Sequence, residues 1–191
     1  MKTVIKITLL LLVCVLSFQT NVMAQEYWDK STIDAAFKKE LIALGFEDGK
    51  YLDRDEYTSA HQPYIVSGNI IHTASISAFG PDGTALQGKI PTDVSQEELY
   101  VASRLACVGA IHHIRNAAGG DLSKVRKIAN IRYLTLSEPE YIDYALVSNE
   151  CSTLMVRVFG QTVGSHTRFA VGVVASPNNE SFKINVIAYL K

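Results

Sequence analysis

The residues best suited to chemistry stand together in SHTRFAVGVVAS, 165–176, where Arg168 opens an apolar, β-branched run and His166 precedes it by two positions. A guanidinium stays charged at any physiological pH and presents a planar fork of donors that fits a carboxylate through two parallel bonds. In a partly dry cleft such a pair is stronger than at an open surface. Two uses of Arg168 follow from the residues alone. It pairs with an acid across a subunit interface, or it grips the carboxylate of a small bound molecule. His166 would add a pH-dependent donor to such a cleft, although it reads first as an exposed loop histidine.

Other chemistries have less to stand on. HExxH, CxxC, GxSxG and a phosphate-cradling glycine loop do not occur in the sequence. His112 and His113 are adjacent, so on a helix they point about 100° apart and cannot clamp one metal together. Lys and Arg (18) nearly balance Asp and Glu (19), without a block of like charge. A nucleic-acid surface should show a basic stripe, so no nucleic-acid partner is expected.

Several elements must position Arg168. STIDAAFKKELIALGF (31–46) reads as an amphipathic helix capped by Ser31 or Thr32 and stopped by Gly45. DGKYLDRDEY (48–57) reads as loop, and 63–83 as two strands and a turn, punctuated by SGN and closed by GPDG. The strongest helix signal is 94–122, with a Ser95–Glu98 capping box, a Gly119-Gly120 stop and an apolar face of Val101, Leu105, Val108 and Ile111. Residues 124–137 alternate as a strand. A second long helix is predicted over 138–160, with Pro139 near its start and Gly160 at its end. Two strands, 168–176 and 181–191, close the chain. This order predicts an α+β domain: a mixed sheet with both long helices on one face. Ile184, Val186 and the valines of 171–174 are too apolar for an open sheet face in water, which predicts an oligomer.

Residues 1–24 read as a signal peptide: Lys2 and Lys6, an apolar core from Ile7 to Phe18, then Val22-Met23-Ala24 before a cleavage at Gln25. The apolar core of about a dozen residues is short for a membrane span, which needs roughly 20. No membrane contact is therefore expected after cleavage, and the mature protein should be exported, in the periplasm. Residues 25–60 form an N-terminal helix and loop extension, and 61–191 the main domain. Cys107 and Cys151 remain after processing; export would allow them to pair, but their places on helix faces favour free thiols.

From about His61 to Lys191 the chain resembles the Rid family (YjgF-like, also labelled endoribonuclease L-PSP or chorismate-mutase-like). The segments that carry the resemblance are SGNIIHTASIS, GKIPTDVSQEELYVASRLACVGAIHHI, GGDLSKVRKIANIRYLTL, EYIDYALVSNECSTLMVRVFG and SHTRFAVGVVASPNNESFKINVIAYL. The longer loop GPDGTALQGKIPTD is most similar to the subgroup with larger chains. The resemblance implies a chorismate-mutase-like subunit that forms a homotrimeric barrel with a ligand cleft at each boundary, without cofactor or metal. It implies hydrolysis of enamine or imine intermediates to a keto acid and ammonia, with Arg168 pairing with the substrate carboxylate. Asn149 falls where the family often has an asparagine near the cleft. Ala74 and Ser75 stand where backbone groups of a Ser-Gly pair meet the ligand. Tyr64, or His61 by gapless count, matches a family tyrosine. Asn185 stands at the position expected to hold a water-activating glutamate; an amide orients water but cannot take its proton. Two functions are therefore expected: a small-carboxylate enzyme of the imine deaminase kind, or a non-catalytic module that binds or sequesters such metabolites. RNA cleavage is a third and weaker expectation.

Overall fold

The computed structural model describes residues 27–52 and 60–191. The expected signal peptide and half of the expected 48–57 loop, residues 53–57, lie outside these residues. Among the described residues no helix is long and apolar enough to cross a membrane.

The chain folds as α1 (Lys30–Ala43), β1 (Tyr64–Ser67), β2 (Ile70–Thr73), β3 (Ile76–Ser77), α2 (Gln96–Ala117), β4 (Val125–Leu136), α3 (Tyr144–Gly164), β5 (Thr167–Val173) and β6 (Phe182–Leu190). The strands form one mixed sheet ordered β1-β2-β6-β4-β5, with β3 also paired to β6. β4 is the central strand, antiparallel to β6 and parallel to β5. The helices cover one face, as expected for the α+β arrangement.

Sidedness follows the pleat. Ile128, Ile131 and Tyr133 of β4, with Phe182, Ile184, Val186 and Ala188 of β6, are buried beneath the helices. Their neighbours Arg132, Leu134, Lys183, Asn185 and Ile187 face the other way. Ile184 and Val186 thus belong to the core, which corrects the expectation that they lie on an open face. Along the sheet, the exposed large apolar residues are instead Ile65 and Val66 on β1, Phe169 on β5, and Val174 just after it. In β4 the apolar positions 125, 128 and 131 are spaced by three rather than two. Register shifts against β6 at Val125/Lys127 and Ile128/Asn130 account for this, since each bulge adds a residue while keeping the same face inward.

Helix α2 starts at the Ser95–Glu98 capping box, as the sequence predicts. Its neighbour α3 is tied to it by Ser103 Oγ donating to the Val147 carbonyl at 2.8 Å and by a disulfide between Cys107 and Cys151. The expectation of free thiols is therefore overturned: helix faces that pack against each other bring the two Cα atoms within 5.3 Å. Three boundaries also differ from expectation. α1 is capped by Asp29, whose Oδ1 accepts from the Thr32 amide at 2.8 Å, rather than by Ser31 or Thr32. Pro139 lies in the turn before α3, not in its first residues. Gly160 breaks α3, as expected of its end, but one further turn follows to Gly164. Gly160 adopts φ 73°, ψ 166° within the helix, where a Cβ would come 3.0 Å from the Trp28 indole. Trp28 leads into α1, which packs against α3 through Arg157, whose guanidinium binds Glu40 with two bonds of 2.7 and 2.9 Å.

Candidate functional site

The break at Gly160 and the turn at Gly164 bring the chain out of α3 and directly into β5, so that His166 and Arg168 return over the last turns of the same helix. In the parallel ladder Arg168 sits beside Ile131, a residue of the helix-covered face. Its side chain accordingly reaches α3. Nη1 donates to Asn149 Oδ1 at 2.7 Å and makes a long contact of 3.4 Å with Ser152 Oγ. Asn149 and Ser152 are three apart, on one helix face. Arg168 is exposed, and among the described residues no carboxylate lies within ion-pair reach of it. One edge of the guanidinium is thus fixed by neutral groups, and its charge stays available.

Ser152 joins two further residues to this cluster. Its Oγ lies 3.1 Å from His166 Nε2 and 3.2 Å from the Tyr133 hydroxyl. His166 Nδ1 bonds the Gly164 carbonyl at 2.7 Å. His166 is half-buried, which corrects the expectation of an exposed loop histidine. Burial lowers its pKa from 6.5, and the positive charges of Arg168 and Lys127 lower it further against the opposing Gly164 bond. Burial pushes the Tyr133 phenol up to about 12, so that it remains a protonated donor. Tyr133 reads in the sequence only as a core position, and Ser152 as an unremarkable helix serine. The spacing of Ser152 from Asn149 was the one signal that could have found it.

The remaining predicted residues gather elsewhere. Tyr64 and Ala74 line a surface pocket of about 320 Å³ with His61, His72 and Thr73. The Ala74 backbone is already engaged: its N–H donates to the Pro63 carbonyl at 2.7 Å, and its carbonyl accepts from Thr73 Oγ1 at 3.0 Å. Ser75 is exposed in the link to β3. Asn185 donates its Nδ2 to the Thr73 carbonyl, which locks the amide beside this pocket, and it pairs in register with Arg132 on the uncovered face. Arg168 and Asn149 therefore form one group, and Tyr64, Ala74 and Asn185 form another. Three strand intervals separate β2 from β5, about 14 Å at ordinary spacing. Within one protomer the two groups do not meet.

A groove of about 490 Å³ lies between residues 78–87 and α2, lined by Val101, Leu105 and Glu98. It explains why Val101, expected inside, remains exposed. Glu98 is spent on the Ser95 amide and hydroxyl, so the groove offers shape but little chemistry. Among the described residues no cluster of His, Cys, Asp and Glu could hold a metal ion.

No family model matches the chain. In sequence it is 28% identical to Protein TCP17 of Trypanosoma cruzi over 127 residues, which are 66% of this chain and 79% of that one. In structure it is similar to Atu1372 of Agrobacterium tumefaciens, a protein of unknown function, with a TM-score of 0.72 and 27% identity over 85% of this chain and 98% of that one. A candidate endoribonuclease of Shewanella oneidensis follows, with a TM-score of 0.66 and 24% identity over 80% and 98% of the two chains. At that identity the second likeness is one of fold. The chain has the fold of the Rid, or YjgF-like, family: the chorismate-mutase-like mixed sheet with its helices on one face.

Proposed function

We propose that the protein binds small carboxylate-bearing metabolites in clefts between neighbouring copies of itself and hydrolyses 2-imino or enamino acids to 2-keto acids and ammonia. The observation that carries this reading is Arg168: a charged fork on an edge strand, steered by Asn149 and Ser152 and paired with no acid among the described residues. A cation prepared in this way is built for an external anion. The second group of residues supports a shared cleft, because Tyr64 and Ala74 can approach Arg168 only from another protomer. Ile65, Val66 and Phe169 on the two edge strands supply apolar area for such an assembly, which we take to be the homotrimer that the family resemblance implies. The Cys107–Cys151 disulfide supports export to an oxidising compartment such as the periplasm.

Binding of a 2-keto acid by titration calorimetry tests the reading. Arg168→Ala should weaken binding at least about tenfold, the effect of losing a charge-assisted hydrogen-bonded pair. Unchanged affinity in that variant, or a monomeric wild-type protein, would overturn it. Turnover is read separately, by mixing the protein with an amino-acid oxidase and semicarbazide and following imine that escapes trapping. One observation favours a second reading, a module that binds without turnover: Asn185 is an amide, locked onto the Thr73 carbonyl, and cannot accept a proton.

A further inference from the structure

Ser152 lies at the centre of the Arg168 cluster, and its hydroxyl proton has a fixed direction. His166 Nδ1 donates to the Gly164 carbonyl, so the neutral ring presents its Nε2 lone pair to Ser152 Oγ, 3.1 Å away. Ser152 therefore donates to His166. The Tyr133 hydroxyl, 3.2 Å off, must then donate to the same serine oxygen, and Arg168 Nη1 approaches it from the side. The serine oxygen faces two donors and the serine proton faces a base. This is the polarity needed for a group that takes a proton from one side and gives one up on the other.

We propose that Ser152 and His166 form the proton relay for hydrolysis at Arg168, supplying the base that Asn185 cannot. The inference rests on the reading that a small imino acid docks its carboxylate at Arg168. A water that replaces the long Arg168 Nη1 contact at Ser152 Oγ attacks the carbon of the protonated imine. Its oxygen bonds to that carbon while the π pair of the C=N bond moves onto nitrogen. The water proton passes to Ser152 Oγ as the serine proton passes to His166 Nε2. The amino nitrogen next takes the proton back from His166 through the serine. The hydroxyl proton then returns along the same path as the carbonyl forms and the C–N electron pair leaves with ammonia. Ammonia carries off that last proton as ammonium, and neutral His166 is restored. Protonated imine and water thus yield keto acid and ammonium, with no other reactant.

The surroundings keep His166 ready to accept. Arg168 on β5 and Lys127 on β4 are the charges that act on it, and both disfavour a resting imidazolium. The Lys127 ammonium donates to the Thr162 carbonyl at 2.7 Å. Tyr133 faces it across the serine as a neutral donor. The acid on this stretch of α3, Glu150, is held by Arg104 of α2.

Ser152→Ala, Ser152→Thr and His166→Asn are compared with wild type for imine consumption, keto-acid binding and pH profile, each corrected for the uncatalysed rate. Ser152→Ala and His166→Asn should each lose roughly a hundredfold in turnover, far more than either loses in keto-acid affinity, with Ser152→Thr largely active. The wild-type rate should fall as pH drops below 6.5, whereas the residual rate of His166→Asn should not share that limb. Full turnover in Ser152→Ala, or the same pH profile in wild type and His166→Asn, would overturn the relay. Keto-acid binding without any imine consumption by wild type would also overturn it, while leaving carboxylate recognition intact. Failure of wild type to bind keto acids would overturn the reading beneath it.

Discussion

Glu180 and Lys183 meet where water hardly reaches: their side chains are 5% and 15% exposed, with 2.5 Å between Oε2 and Nζ. Ser77 Oγ donates to the same carboxylate at 2.5 Å. Burial alone would raise the Glu180 pKa, but the bonds from Lys183 and Ser77 outweigh it and leave the group below its ordinary 4.5. A carboxylate whose folded pKa is depressed contributes stability above its unfolded value and loses it as pH falls through the folded one. Wild-type melting temperature should therefore drop as pH is lowered below 4.5, and Glu180→Gln should flatten that dependence. Lys183→Met should destabilise the protein by about 3 kcal/mol in denaturant titration, because it strands a buried charge, and adding Glu180→Leu should recover most of the loss. At the same scale, Arg168→Lys should bind keto acids more weakly than wild type, since an ammonium keeps the charge but not the fork. Arg168 was legible in the sequence because a permanent cation opening an apolar strand needs a reason. Its partners were not: a serine on a helix and a tyrosine on a strand gain their roles only from the crossing of α3 over β4.

Elements decide where those residues point. Parallel pairing of β5 with β4 places Arg168 beside Ile131 on the helix side, and the pleat puts Asn185 on the other. Residue patterns alone describe both as strand positions, without saying that they occupy opposite faces. Helix α2 was readable from its capping box and periodicity, and α3 from its apolar pattern but not from its expected caps. The end of α3 was read four residues early: Gly160 does break the helix, in a conformation that also clears the Trp28 ring, but one further turn follows it to Gly164. Gly160→Ala should cost about 2 kcal/mol, since this backbone region is nearly closed to residues with a Cβ and the indole blocks the space. Chemical denaturation would measure this. Trp28→Ala should not rescue the full loss, because the backbone conformation remains unsuitable for alanine.

At the scale of the whole molecule, the proposed cleft would be completed by a neighbouring copy, and the two sheet edges are where that copy would sit. Ile65 and Phe169 are each 58% exposed on edge strands, a combination that single soluble chains normally avoid. Replacing Phe169 by Asp should dissociate the assembly in analytical ultracentrifugation and abolish keto-acid binding with it, although the substituted side chain points away from Arg168. Within each subunit the Cys107–Cys151 bridge closes a 44-residue separation, worth about 4 kcal/mol on chain-entropy grounds. Reduction should lower the melting temperature accordingly. The position of that bridge matters as much as its strength, for Cys151 is the immediate neighbour of Ser152 and lies between it and Asn149 in the chain. Whatever thiol chemistry prevails where the protein matures thus acts on the helical turn that cradles the guanidinium. Copies produced in a reducing cytosol would reach the same fold with a looser grip, and their performance would report on how they were made before it reported on what they bind.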